Sequence, residues 1–233
     1  MRFGAAAGAA ARAATAGARA PALRAGLAAP AAPPPALATS ITAGTPSHTL
    51  SRNTISNLSN SNATTASVVT GIQFTGGTAN LVERNNIFGL TVASNSTAAE
   101  VNGIRVAGGT TVYRNNMIAI GAGIANAIGT GSTTGGVNGI NEPLGTDSFF
   151  NNSVYVGGAP SAGVGPSYAF NSSQTVNTRS FRDNIFFNAR SNAGATGKNY
   201  VVRVGGTDAN PAGLTINNNL YFANGTGAEF GFF

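Results

Sequence analysis

The stretch VERNNIFGL, residues 82–90, places two adjacent asparagines, Asn85 and Asn86, inside an apolar segment with the character of a β-strand. Asparagine is a poor strand former, and a buried amide without a hydrogen-bond partner costs free energy. Related stretches recur along the chain, so the asparagines meet a structural requirement that repeats.

Six such segments follow residue 40: SRNTISNL, ERNNIFGL, YRNNMIAI, FNNSVYV, FRDNIFF and INNNLYF. Their alignment gives one polar column, at intervals of 32, 30, 37, 31 and 35 residues: Asn53, Asn85, Asn115, Asn152, Asp183 and Asn218. An apolar column follows two residues later: Ile55, Ile87, Met117, Val154, Ile185 and Leu220. Between these segments lie short alternating strands that end in polar turns, such as GIQFTGGTA and GIRVAGGTT.

Three short strands per period, without a helical pattern, predict an all-β fold: a right-handed parallel β-helix of about six coils. Strands of adjacent coils lie about 4.8 Å apart, so equivalent residues stack in columns. Each amide of the polar column can then bond to the amides above and below it, which forms an asparagine ladder. Asparagine also tolerates the left-handed backbone of a tight bend, and we expect the apolar column to face the core. Asp183, which can only accept when ionised, is expected to be the weakest rung.

The composition excludes several classes of function. Only 9% of the residues are charged, whereas typical soluble domains have about 25%. Four arginines in the first 40 residues supply most of the net charge of +6, and the remaining nine basic and seven acidic residues give +2. We therefore expect no nucleic-acid partner, since that would need a clustered basic face. There is no cysteine and one histidine, His48, so we expect no cofactor and no metal.

Residues 1–40 form a low-complexity leader rich in Ala, Pro and Arg, and residues 41–233 form the predicted β-helix. The leader fits a disordered linker, an atypical export signal or a wrongly chosen start codon, because arginines interrupt its apolar run. No stretch reaches the roughly 18 strongly apolar residues of a membrane span. We expect no membrane-spanning segment.

The segment from Arg179 to Gly227, RSFRDNIFFNARSNAGATGKNYVVRVGGTDANPAGLTINNNLYFANGTG, resembles the β-helix repeats of large exported surface proteins of Gram-negative bacteria. These repeats are similar to a non-catalytic version of the pectate-lyase-like fold. The resemblance implies a secreted or cell-surface location and further modules in a longer parent protein. On this interpretation the chain is a fragment, truncated at its C-terminal end.

Catalysis by a β-helix enzyme requires two or three carboxylates that converge within about 5–10 Å. The seven acids do not share a column in neighbouring coils, and Glu142 and Asp147 are the closest to a pair. The tripeptide Asn141-Glu142-Pro143 replaces the usual apolar strand position. We interpret it as a loop excursion, with a catalytic or metal site as the alternative.

Two columns are candidates for ligand binding. The arginines that precede the polar column could form a positive stripe for an acidic glycan, or a solvated edge that discourages strand pairing: Arg52, Arg84, Arg114 and Arg182. A second column should face outward, where its rings could stack on sugars or be covered by loops: Phe88, Ile118, Tyr155, Phe186 and Tyr221.

We therefore expect an exported or cell-surface structural protein of adhesin-like type, with weak binding to a polysaccharide or cell-surface glycan and no catalysis. The alternative is a fragment of a polysaccharide lyase or glycoside hydrolase of β-helix fold. An enzyme requires carboxylates that meet in an open cleft, whereas an adhesin does not.

Overall fold

The computed structural model describes residues 36–41, 47–129, 136–192, 197–208 and 210–232. The described residues form strands, turns and irregular segments, and they include no helix. They belong to one compact unit, Ala32–Phe233. Most of the predicted leader, residues 1–35, lies outside the described residues.

The strands form three parallel sheets, which we call A, B and C. Sheet A has the order β1 (Ala36–Ile41), β5 (Val68–Phe74), β9 (Glu100–Ala107), β13 (Gly136–Leu144), β17 (Ser167–Ser172), β20 (Asn199–Val204) and β23 (Ala228–Phe232). Sheet B has the order β2 (Thr49–Ser51), β6 (Asn80–Glu83), β10 (Thr111–Arg114), β14 (Ser148–Phe150), β18 (Arg179–Arg182) and β21 (Leu214–Asn217). Sheet C has the order β3 (Thr54–Ser56), β7 (Asn86–Phe88), β11 (Met117–Ile120), β15 (Ser153–Val156), β19 (Ile185–Asn188) and β22 (Leu220–Ala223).

Two short pairs complete the fold: β4 (Ser59–Asn60) with β8 (Thr91–Val92), and β12 (Asn126–Ala127) with β16 (Ala162–Gly163). Each coil contributes one strand to each large sheet, and every strand pairs in parallel with its counterpart in the next coil. The chain therefore forms a parallel β-solenoid of about five turns, which confirms the predicted fold class. The boundary drawn between residues 40 and 41 falls inside β1, which pairs with β5.

A ladder of side-chain amides connects the coils at the corner between sheets B and C. In each step the backbone N–H and Nδ2 of one asparagine donate to Oδ1 of the next, at 2.9–3.1 Å. Each Nδ2 also donates to a backbone carbonyl, as in the bond from Asn116 to the carbonyl of Val82 at 3.0 Å. The ladder consists of Asn53, Asn85, Asn116, Asn152, Asn184 and Asn219.

The predicted register is wrong by one residue in three coils. Asn115, Asp183 and Asn218 lie one position before the ladder, are exposed, and have the positive φ of the bend, at 55°, 58° and 53°. The sequence alignment matched Arg114 to Arg84, but Arg114 pairs with Glu83 in the sheet. The ladder rung at Asp183 is therefore replaced by Asn184, and the expected weak rung is absent from the described ladder.

The same shift reverses which apolar side chains face the core. Ile55, Ile87 and Val154 are buried as predicted. Met117, Ile185 and Leu220 are instead exposed by 61%, 46% and 59%. The core positions in these coils belong to the next residues, Ile118, Phe186 and Tyr221.

Sheet B supplies large rings to the core, and sheet A supplies small residues opposite sheet C. Phe149 stacks on Tyr113, with ring centroids 4.8 Å apart, and meets Phe181 edge-on at 5.6 Å. A Cβ atom on Gly139 would lie 2.2 Å from Cγ1 of Val154, so glycine is required where sheets A and C approach each other.

We predict that Asn116→Ala lowers the free energy of unfolding by about 3 kcal/mol, because it leaves buried donors of Asn85 and the carbonyl of Val82 without partners. Asn115→Gly is the matched control and should change it by less than about 0.5 kcal/mol, since Asn115 is exposed at positive φ. Urea denaturation followed by circular dichroism measures both. Equal losses would contradict the assignment of the ladder.

Candidate functional site

The four candidate arginines do not form one stripe. Arg52 and Arg84 occupy the positive-φ position of the bend, with φ of 60° and 56°. Arg114 and Arg182 lie one column earlier, at the ends of β10 and β18. Arg114 Nε donates to Glu83 Oε2 at 2.8 Å, and the guanidinium of Arg182 lies 4.6 Å from the centre of the Phe150 ring. Two of the four are thus engaged within the solenoid.

The outer face of sheet C carries the largest exposed apolar surface that the strands present. It consists of two outward columns: Asn86, Met117, Ser153, Ile185 and Leu220, and Phe88, Ala119, Tyr155, Phe187 and Phe222. Phe88 and Tyr155 are exposed by 37% and 41%, as expected for outward rings. Phe186 and Tyr221 are corrections to the predicted outward column. Phe186 is fully buried, and Tyr221 packs against the core.

The aromatic side chains of this face pack edge to face. The rings of Tyr155 and Phe187 are 5.2 Å apart and inclined at 81°, and those of Phe187 and Phe222 are 4.7 Å apart at 86°. Such pairs stabilise neighbouring strands by about 0.5–1.5 kcal/mol beyond the area that they bury. Part of this surface therefore has a structural role.

A recess interrupts this row of rings at Ala119. By register Ala119 lies between Phe88 and Tyr155, so its small side chain leaves a gap between two aromatic residues. The recess has a volume of about 200 Å³. Its lining includes Tyr155 and Phe187 as aromatic walls and Asn86 and Ser153 as polar residues. An apolar recess with a few polar groups is the usual form of a small-ligand site.

The acidic pair that the sequence singles out lies inside the solenoid. Glu142 occupies a column that is otherwise filled by Phe74, Val106, Ser172 and Val204. Glu142 is 0% exposed and Asp147 is 2% exposed. Both oxygens of Glu142 and Oδ2 of Asp147 lack hydrogen-bond partners within the described ranges. The irregularity noted at Asn141-Glu142-Pro143 is real, since the register between β9 and β13 shifts there.

Burial changes the protonation of this pair. It raises the pKa of Glu142 to about 8, and it raises the pKa of Asp147 to about 9, with a further contribution from the nearby Glu142. Arg179 lies close enough to Glu142 to oppose the effect of burial. Burial also raises the pKa of Tyr113, whose hydroxyl has no partner among the described residues.

A polymeric substrate cannot reach carboxyls that are covered to this extent. The part of the chain that the structure describes also contains no cluster of three or more His, Cys, Asp or Glu residues with the spacing of a metal site. Nor does any helix among the described residues have the length and hydropathy to cross a membrane. The outer face of sheet C is therefore the better candidate for a site.

Sequence reasoning missed two features. Ala119, Phe187 and Phe222 were not recognised as outward positions, although the burial of alternate residues in MIAI and IFFN could have shown it. The buried Arg190 was also missed. Its guanidinium donates to the carbonyls of Gly121 and Gly157 at 2.9 and 3.1 Å, and burial lowers its pKa to about 10. Arg190 joins the loops of successive coils.

Comparison with known protein families, curated proteins and solved structures finds no match to this chain. The fold and the surface geometry therefore carry the functional argument.

We predict that stability falls as the pH rises. Unfolded, Glu142 and Asp147 titrate near 4.5 and 3.8, but folded they titrate near 8 and 9. The folded state therefore binds more protons between these values, so this contribution is greatest below about pH 4 and is lost as the pH rises through 8–9.

The double variant Glu142→Gln/Asp147→Asn should flatten this dependence. At pH 8 it should gain about 1 kcal/mol or more, which for a domain of this size raises Tm by about 2–4 °C. Calorimetry from pH 5 to pH 9 measures the effect, with Asp208→Asn as the exposed control. An unchanged slope in the double variant would show that the pair does not set the pH dependence.

Proposed function

We propose that this chain is an exported or cell-surface structural protein of adhesin-like type, whose outer face of sheet C binds a glycan weakly and without catalysis. The observation that carries the proposal is the recess at Ala119, where Tyr155 and Phe187 form walls beside Asn86 and Ser153. The C–H face of a sugar ring fits an aromatic wall, and its hydroxyl groups fit the polar side chains.

The volume of the recess supports a small contact. About 200 Å³ is below the range of about 300–1,000 Å³ that is usual for pockets that enclose a ligand. One sugar unit of a longer polymer therefore suits the recess better than a whole oligosaccharide. Single contacts of this size are weak, and repeated contacts on a polymer or cell surface would increase the avidity.

The surface charges favour a neutral or mildly acidic glycan. The lining of the recess contains no charged residue. Arg52 and Arg84 are exposed at the neighbouring bend, where they could contact acidic groups on an adjoining sugar. A pectate-lyase-like origin of the fold remains part of the proposal, and it rests on the resemblance of the repeats.

The glycan proposal is tested on a polysaccharide array, followed by NMR titration of the best ligand. Ala119→Phe should fill the recess and abolish binding while the fold remains intact, because Phe88 and Tyr155 show that a ring fits this column. Tyr155→Ala should weaken binding at least about tenfold by removing an aromatic wall. Phe222→Ala, on the same face but outside the recess, is the control and should bind as the parent does.

Binding that persists in Ala119→Phe would place the contact elsewhere. A chain that binds no glycan of the array up to millimolar concentration would refute the glycan proposal, since weak sites of this kind are detected in that range.

The proposed location has its own test. We expect the full chain, tagged at its C-terminal end, to appear in the periplasmic or extracellular fraction of a Gram-negative host. A chain that lacks residues 1–35 should remain in the cytoplasm. Equal cytoplasmic retention of both would refute export through this leader.

A further inference from the structure

The asparagine ladder has a direction, and its two ends are complementary. In every step the amide donors of one coil meet Oδ1 of the next coil toward the C-terminal end. At that end, Nδ2 of Asn219 bonds to the Phe181 carbonyl and the Tyr221 hydroxyl. Its backbone N–H has no partner among the described residues. At the other end, Oδ1 of Asn53 accepts no hydrogen bond from any residue in the described ranges.

The strands at both ends lack the features that normally prevent pairing. Strands β2 and β3 at one end, and β21 and β22 at the other, each pair on one side only. Their sequences are TLS, TIS, LTIN and LYFA, without a charge or a proline. Natural edge strands usually carry such residues, because uncharged edges recruit other strands.

The C-terminal end also exposes residues from core columns. Ile216 follows the buried Phe181 in its column, and Phe230 follows the buried Val201. They are exposed by 40% and 65%. Together with Val202, Tyr221 and Gly231 they line an apolar recess of about 290 Å³. The lone acid of β23, Glu229, is paired with Lys198 at 2.6 Å, so no unpaired charge lies at this edge within the described part of the chain.

We propose that a second copy of this chain occupies this end, so that copies stack head to tail with their sheets A, B and C continuous. Asn219 would donate to Oδ1 of Asn53 in the next copy. Nδ2 of that Asn53 would donate to the carbonyl of Ile216, as Nδ2 of Asn85 donates to that of Leu50. Leu50 of the next copy would cover Ile216, since both belong to the same inward column of sheet B.

A joint of this kind is heterologous: it uses different surfaces on the two copies and leaves one of each free. Copies joined in this way extend into open linear chains and do not close as a symmetric dimer. The proposal is independent of glycan binding, because the recess at Ala119 lies on the side of the solenoid.

The test is sedimentation velocity on the full chain from about 1 µM to about 200 µM, with electron microscopy of the largest species. The parent should form linear multimers as its concentration rises. Phe230→Lys, at an already exposed position, should remain monomeric because it places a charge in the joint. Met117→Lys, equally exposed but on the side of the solenoid, is the control and should associate as the parent does.

Direction is tested by mixing. Leu50→Lys should also be monomeric alone, and circular dichroism checks its fold. If it does not fold, Asn53→Lys takes its place. An equimolar mixture with Phe230→Lys should form dimers and stop there, since each dimer contains one intact joint and two blocked ends.

A parent that remains monomeric at about 200 µM would overturn the proposal. So would association that Met117→Lys abolishes and Phe230→Lys does not, or a mixture that yields no dimer. None of these outcomes affects the glycan array, in which Ala119→Phe is the decisive variant.

Discussion

Side-chain amides that bond from coil to coil are the interaction on which the other features of this solenoid depend. Each interior rung uses its full capacity: Oδ1 of Asn116 accepts two bonds from Asn85, and its Nδ2 donates to Asn152 and to Val82. A buried polar group that is satisfied in this way costs little, and it fixes one arrangement of the coils. The residue before the rung has a left-handed backbone, and the residue after it begins sheet C. The position of the rung therefore sets which residues of sheet C face the core.

Much of the architecture could be predicted from the sequence, because the solenoid repeats its pattern six times. The period, the three strands per coil and the existence of a ladder all follow from the recurring Asn-containing segments. The register could not be read in the same way. Asparagine is suited both to the left-handed bend and to the ladder, so YRNN and FRDN contain two acceptable candidates each. The arginine used as the anchor occupies the bend in one coil and the strand end in another, as Arg84 and Arg114 show.

The candidate site was harder to predict than the fold for the same reason. A shift of one residue exchanges the two faces of a strand, so Phe186 moved from the predicted surface into the core, and Phe187 took the outward position. The recess at Ala119 depends on the size difference between neighbours in one column, and those neighbours are 31 and 36 residues away in sequence. Composition and motif spacing do not contain that information. The buried pair is similar: the sequence shows Glu142 as an irregularity, but only the fold shows that it occupies a core column.

A solenoid also distributes its stability differently from a globular domain, because each coil contacts only its neighbours. An interior rung is bonded on both sides, whereas Asn53 and Asn219 are each bonded to one neighbouring rung. The terminal coils are therefore the weakest part of the structure, and any strand that continues the three sheets stabilises them. A coil in the same chain would do so without loss of translational freedom, but a separate copy must offset a cost of about 4–15 kcal/mol. The exposed core residues Ile216 and Phe230 supply apolar area toward that cost, and the ladder ends supply direction. Because the edges carry no opposing charge, protein concentration is the variable that decides between a single solenoid and a chain of them.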